Sequence, residues 1–183
     1  MTYYTVDPQA IVEFWREAGP DRWFGKDEAF DETIRRRFGD VYERAARGEL
    51  DSWQEEPTGI LALILLLDQF PRNMFRGTPL AFATDAKALE LAKTALARGD
   101  HMTVAEDINQ FLVMPLMHCE DLAEQDECVA WMEKIGDEAN VASAREHREI
   151  LDRFGRFPHR NAILGRESSP EETEFLENGG FAG

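Results

Sequence analysis

The chain has 183 residues and a mass of 20.9 kDa, enough for one domain with one large core. Twenty basic residues against 36 acidic ones give a formal net charge of −16, which excludes nucleic acid or an anionic membrane surface as the main partner, because both require a basic footprint.

Almost every segment reads as helix, and no strand-type alternation occurs. Asp7 and Pro8 read as the N-cap and first residue of a helix over 8–17, broken by Gly19-Pro20. A longer helix follows over 27–47, with Gly48 as its stop. Beyond an aromatic stretch at Trp53, a helix over 58–69 is apolar on all sides from Ile60 to Leu67, the pattern of a helix in the middle of a bundle. Pro71 is expected to end it. Thr78-Pro79 opens a short helix, and Asp85 caps one over 85–98 that Gly99 closes. Thr103 with Glu106 forms a capping box for another, which Pro115 divides from a helix over 119–135. Gly136-Asp137 turns the chain into a helix over 140–154, ended by Gly155. After an irregular stretch, 156–168, Ser169-Pro170-Glu171-Glu172 combines N-cap, proline and capping box at the start of a last short helix. The tail, 177–183, is expected to fray. About nine helices with short links make an all-α, single-domain array of antiparallel hairpins over 1–183.

The apolar run at 60–67 is far shorter than the roughly 20 residues a bilayer requires, so no membrane span is expected. The N-terminal stretch carries no visible secretory signal. Cys119 and Cys128 show no zinc-type spacing and read as two core thiols. A cytoplasmic protein is the expectation. The four tryptophans, Trp15, Trp23, Trp53 and Trp131, read as packing residues.

Charge is unevenly spread. From Gly99 to Ala144 there are eleven acids and one base, Lys134; from Arg145 to Arg166 there are six arginines against three acids. Those arginines either pair with the acidic helices around them or form a local site for a small anion, for which the guanidinium fork is suited. Part of the segment echoes an earlier one. Leu67-Asp68-Gln69-Phe70-Pro71-Arg72-Asn73 resembles the stretch from Leu151-Asp152-Arg153-Phe154 to Phe157-Pro158-His159-Arg160-Asn161. In each copy proline is expected to stop a helix, leaving Arg and Asn in a non-helical link where they can converge or close an Asx-type turn.

Helical phase sorts the remaining polar residues. At 100° per residue, Leu122 sets a core face shared by Gln125, Val129, Met132 and, if the helix reaches back, His118. Glu120, Glu124 and Glu127 point the other way and read as solvated. In the following helix, His147 falls on the inward face with Ala144, Leu151 and Phe154. Antiparallel pairing of the two helices about their short turn then brings His118 to Pro158-His159, at the arginine-rich end of the hairpin. No compact ligand spacing such as HExxH joins His118, His147 and His159, and the arginines would repel a cation, so no metal and no cofactor is expected.

The stretches LALILLLDQFPRNMFRGTPLAFATD, MPLMHCEDLAEQ and HREILDRFGRFPHRNAILGRESSPEE resemble the bacterial family known as domain of unknown function 924, and the resemblance spans about Val12 to Leu176. It implies a tetratricopeptide-like fold and no known reaction. The signature positions it implies are Asp68, Gln69, Arg72, Asn73, His118, Gln125, His147, Arg156, His159, Arg160 and Asn161.

Three readings follow. In the first, Arg72, Arg156, Arg160 and Asn161, with Gln69, Asn73, Gln125 and His147, line a pocket for a small anionic molecule bearing phosphate or carboxylate. There His118 or His159 transfers protons and Asp68 orients an Arg or His, as in a hydrolase or transferase. In the second, stacked hairpins present a groove to an acidic peptide, without catalysis. In the third, the polar residues only lock the links. An enclosed site with unpaired arginine donors would favour the first, a long open groove the second, and complete pairing of every arginine the third.

Overall fold

A computed structural model describes residues 7–181; the stretch 1–6, within the segment read for a signal, and the last two tail residues lie outside the described residues. The described residues form helices and turns, with no strand. Asp7 caps α1 (Pro8–Ala18) through its carboxylate, and Asp27 does the same for α3 (Glu28–Ala46). A single turn, α2 (Pro20–Trp23), lies between them. Trp15 is fully buried and stacks on Trp23, whose indole donates to the Trp15 carbonyl (2.6 Å).

The central element begins with α4 (Pro57–Ile64), in which every residue from Gly59 onward is buried. It contacts α1 and α6 (Asp85–Arg98), while α5 (Phe70–Met74) lies against α3. All-round apolarity from Ile60 to Leu67 thus produces the helix around which the core is assembled. Pro71 does not end it. Residues Leu65–Gln69 widen into a π-turn, in which the Phe70 N–H bonds the Leu65 carbonyl, and the chain runs on into α5. Proline has no N–H for the carbonyl four residues back, that of Leu67. The Thr84 hydroxyl donates to that carbonyl instead (2.5 Å). Arg72 and Asn73 consequently sit on a helical turn and not in the irregular link expected.

The capping-box helix expected after Thr103 is absent. Thr103 ends a short 3-10 turn (Asp100–Met102), and a second 3-10 turn (Asn109–Leu112) leads to α7 (Met114–Met117). Asp121 caps α8 (Leu122–Ile135), Asp137 caps α9 (Glu138–Phe154), and the two helices pack as a hairpin. Leu122 is 38% exposed and sets no core face; the buried residues of α8 are Gln125, Cys128 and Met132. The capping box of Ser169 and Glu172 opens α10 (Pro170–Glu177). The residues after it make a defined turn: the Gly179 and Gly180 N–H groups return to the Leu176 and Phe175 carbonyls, with Gly179 at φ 80°. Phe181 is carried back against His147 and His159. Among the described residues no helix is long and apolar enough to cross a membrane.

Gly59 permits the close crossing of α4 by the 3-10 turn Asp51–Glu55. A Cβ there would stand 2.0 Å from the Trp53 carbonyl oxygen. Gly→Ala in a helix ordinarily gains up to about 1 kcal/mol. Here Gly59→Ala is expected to lose about 2 kcal/mol or more by overpacking, read as a lower midpoint in urea unfolding.

Candidate functional site

The apolar helix ends on a carboxylate. Asp68 is 0% exposed, and a buried carboxylate needs partners for each oxygen. The His118 Nδ1 donates to Oδ1 (2.8 Å), the Gln69 amide donates to Oδ2 (2.6 Å), and Arg72 Nη1 lies 3.3 Å from Oδ1 while donating to the Asp68 carbonyl (2.7 Å). Arg72 also forks onto Asp85, with Nη1 and Nη2 at 2.8 and 2.9 Å from its two oxygens. Asp85 stands in the first turn of α6, where the helix N-terminus favours an anion. Burial alone would raise the Asp68 pKa, but His118, Arg72 and the amide outweigh it and hold it at about 2. Burial first, and Arg72 second, push the His118 pKa down, against the pull of Asp68. The pair is therefore a carboxylate and a neutral imidazole with its proton on Nδ1, which leaves the Nε2 lone pair as a base.

Arg160 completes the cluster from the other end of the chain. The Nη2 donates to the His118 carbonyl (2.9 Å), Nη1 lies 3.8 Å from Asp85, and the guanidinium stacks 4.7 Å from the rings of both Phe82 and Phe157. Arg160 is 7% exposed, and its Nε is buried without a hydrogen-bond partner. Burial, and then Arg72, lower its pKa to about 10. Gln125 supports His118 indirectly: its amide donates to the carbonyls of Leu116, Met117 and Cys119, fixing the end of α7.

The remaining signature residues lie outside this cluster. Asn73 donates to Asp31, which Arg76 also clamps through two bonds. Arg156 clamps Glu172, to which Asn161 also donates (3.2 Å). Arg156, then the Ser169 N–H and Asn161, outweigh desolvation and hold Glu172 at about 2. Glu120, read as solvated, accepts from both Nη atoms of Arg166 and from the Phe157 N–H. Glu124, read likewise, pairs with Lys93 (2.6 Å). Glu120 precedes the first residue of α8, so helical phase does not govern it; at Glu124 a salt link from α8 to α6 overrides the phase argument. His147 donates to the Ser143 carbonyl and packs edge-on to Phe157 and Phe181; His159 lies against the same two rings, its Nδ1 buried and unpartnered.

The site thus joins Asp68, Gln69, Arg72, His118 and Arg160, and adds Asp85, which the sequence showed only as a helix cap, and Phe82, which it did not single out. Of the six arginines in 145–166, four pair with carboxylates of Glu133, Asp126, Glu172 and Glu120. Arg153 stacks on Phe154 and Phe175. Arg160 alone of the six keeps a buried N–H unused among the described residues. Two open concavities, of about 520 and 300 Å³, lie elsewhere, at the α9–α10 junction around Arg153. Among the described residues no group of three or more His, Cys, Asp or Glu is placed to hold a metal ion.

Burial pushes His147 down to about 4, helped by His118 and the arginines, and burial with Arg160 does the same to His159. Unfolded histidine titrates near 6.5, so between those values the folded chain holds fewer protons than the unfolded one. Stability is then complete above pH 6.5 and lost as pH falls toward 4. For His147 the loss by pH 4 is ~3 kcal/mol. Melting temperature is expected to fall steadily from pH 7 to 4.5, and His147→Gln should flatten the curve.

The sequence profile of a family described as bacterial proteins of unknown function, DUF924, matches residues 11–180. A solved structure, that of the protein of unknown function ATU0120 from Agrobacterium tumefaciens, is similar at 49% identity, with a TM-score of 0.91, covering 94% of this chain and 97% of that one. No curated protein matches. The match extends over both Phe-Pro segments, the α8–α9 hairpin and the last helix, and on that ground the chain belongs to the DUF924 family of bacterial proteins.

Proposed function

We propose that the Asp68–His118–Arg160 cluster binds a small anionic molecule, carboxylate- or phosphate-bearing, and that His118 exchanges a proton with it. The observation that carries this reading is the unused, buried N–H of Arg160 beside a histidine already oriented by a buried carboxylate. A purely structural lock has no use for an unsatisfied guanidinium donor, which costs stability wherever it is buried. The His118 side chain is 16% exposed, and Arg72 and Asp85 are 21% and 22% exposed, so the cluster reaches solvent.

The roles follow from the contacts. Asp68 fixes the tautomer and plane of His118, as the carboxylate of a carboxylate–histidine pair does. His118 Nε2 is the acid–base atom. Arg160, held by two aromatic faces and a carbonyl, offers Nε–H to the ligand oxygen. Arg72 keeps Asp68 ionised. Hydrolysis or group transfer are the reaction types such a pair serves.

The test is a thermal-shift screen with carboxylates, phosphate monoesters and phosphodiesters. A specific ligand at a hundredfold excess over its Kd stabilises by about 2.7 kcal/mol. The shift should vanish in Arg160→Gln and in His118→Asn, while Arg145→Gln, at an exposed pair, keeps it. A ligand that stabilises all of these chains equally would place binding elsewhere, and no shift from any compound would return the cluster to a structural role.

A further inference from the structure

The charges of the cluster cancel before any ligand arrives. Asp68 and Asp85 contribute two negative charges, Arg72 and Arg160 two positive ones. The neighbouring Glu120 is neutralised by Arg166. His147, on α9, is near enough to His118 for their charges to interact and is neutral near pH 7, as is His159, in the turn with Arg160. An anion entering this site therefore meets no net attraction unless a proton comes with it. The group placed to take that proton is His118, whose Nδ1 is already bonded to Asp68 and whose backbone carbonyl accepts from Arg160.

Resting on the function proposed above, we infer that the site takes monoanions, a carboxylate or a phosphodiester, and that each one bound brings one proton onto His118. A dianion such as a phosphate monoester leaves a buried charge uncompensated even after that proton is bound, and is disfavoured. Asp85 sets this requirement. It forks onto Arg72 and stands 3.8 Å from Arg160, so it occupies the charge that an anionic ligand would otherwise use. Uptake of one proton makes binding pH-dependent: between the pKa of His118 in the free chain and its higher pKa in the complex, affinity falls tenfold for each pH unit.

The experiment is an NMR titration of imidazole-labelled protein with acetate, dimethyl phosphate and phenyl phosphate at several pH values from 6 to 8, on the parent chain and on Asp85→Asn. In the parent, log Kd for acetate or dimethyl phosphate should rise with a slope of one per pH unit, and the His118 nitrogen shifts should turn to imidazolium on saturation. Acetate alone would identify a carboxylate ligand, dimethyl phosphate alone a phosphodiester. Asp85→Asn removes one negative charge, so its slope should flatten and its affinity at pH 8 rise at least tenfold. A flat slope in the parent, with His118 remaining neutral when saturated, overturns the inference and leaves the binding site intact. Tighter binding of dianionic phenyl phosphate overturns it also. If no probe moves the His118 signals in either chain, the binding function itself fails. The parent slope decides the matter without the variant should Asp85→Asn prove unstable.

Discussion

Everything around the site follows from ending an apolar helix on a carboxylate. Ile60 to Leu67 are essentially inaccessible to water, and Asp68 comes next, at the same depth. An ionised carboxylate there is costly unless charge and hydrogen bonds replace the water. The replacement comes from parts of the chain distant in sequence: Arg72 from the next turn, Asp85 from α6 to hold Arg72, His118 from the end of α7, and Arg160 from beyond α9. Such an arrangement adds little net stability by itself, but it allows few alternative packings. The helices that supply its members must arrive at one point.

The π-turn is part of the same solution. A regular α-helix through 65–69 would place Pro71 against the backbone of the preceding turn and leave the Leu67 carbonyl without a donor. Widening the helix by one residue removes the clash, and Thr84 supplies the donor from the start of α6. The residue that satisfies this carbonyl therefore directly precedes Asp85, which holds Arg72. Backbone accommodation of Pro71 and placement of the charge cluster are achieved by two consecutive residues.

The two Phe-Pro segments show how much of this was legible in the sequence and what was not. Their likeness at Arg72-Asn73 and Arg160-Asn161 is written in residue order, and the structure gives it a physical meaning. In each copy the arginine turns inward to the shared Asp85 and Phe82, and the asparagine reaches a buried carboxylate, Asp31 or Glu172, that a second arginine clamps. Helix periodicity and caps located most elements, because those signals lie within a few residues of one another. Asp85 reads in the sequence only as a helix cap and Phe82 carries no signal at all, since nothing local records that a residue faces Arg72 or Arg160. Glu120 differs for another reason: it stands before the cap of α8, where helical phase fixes no direction, and it turns to Arg166. Leu122 misled as a reference because it stands at the first position of α8, beside its cap and beyond the packed face. At Thr103 a valid capping pattern had no amphipathic helix behind it to stabilise.

The difference between Arg72 and Arg160 carries the functional argument. Both are cations near Asp85, Arg160 buried and Arg72 half-buried, but they are held in different ways. Arg72 spends both terminal nitrogens on carboxylate oxygens, so it is neutralised and fixed. Arg160 is held between two aromatic faces and by one carbonyl, with a carboxylate no nearer than 3.8 Å. Cation–π contact keeps a guanidinium in place without consuming its N–H groups. A chain that needed only to bury this arginine would pair it, as it pairs Arg156 and Arg166 a few residues away. Stacking leaves the buried Arg160 Nε–H without a partner, and that is the donor which the proposed function assigns to a ligand oxygen.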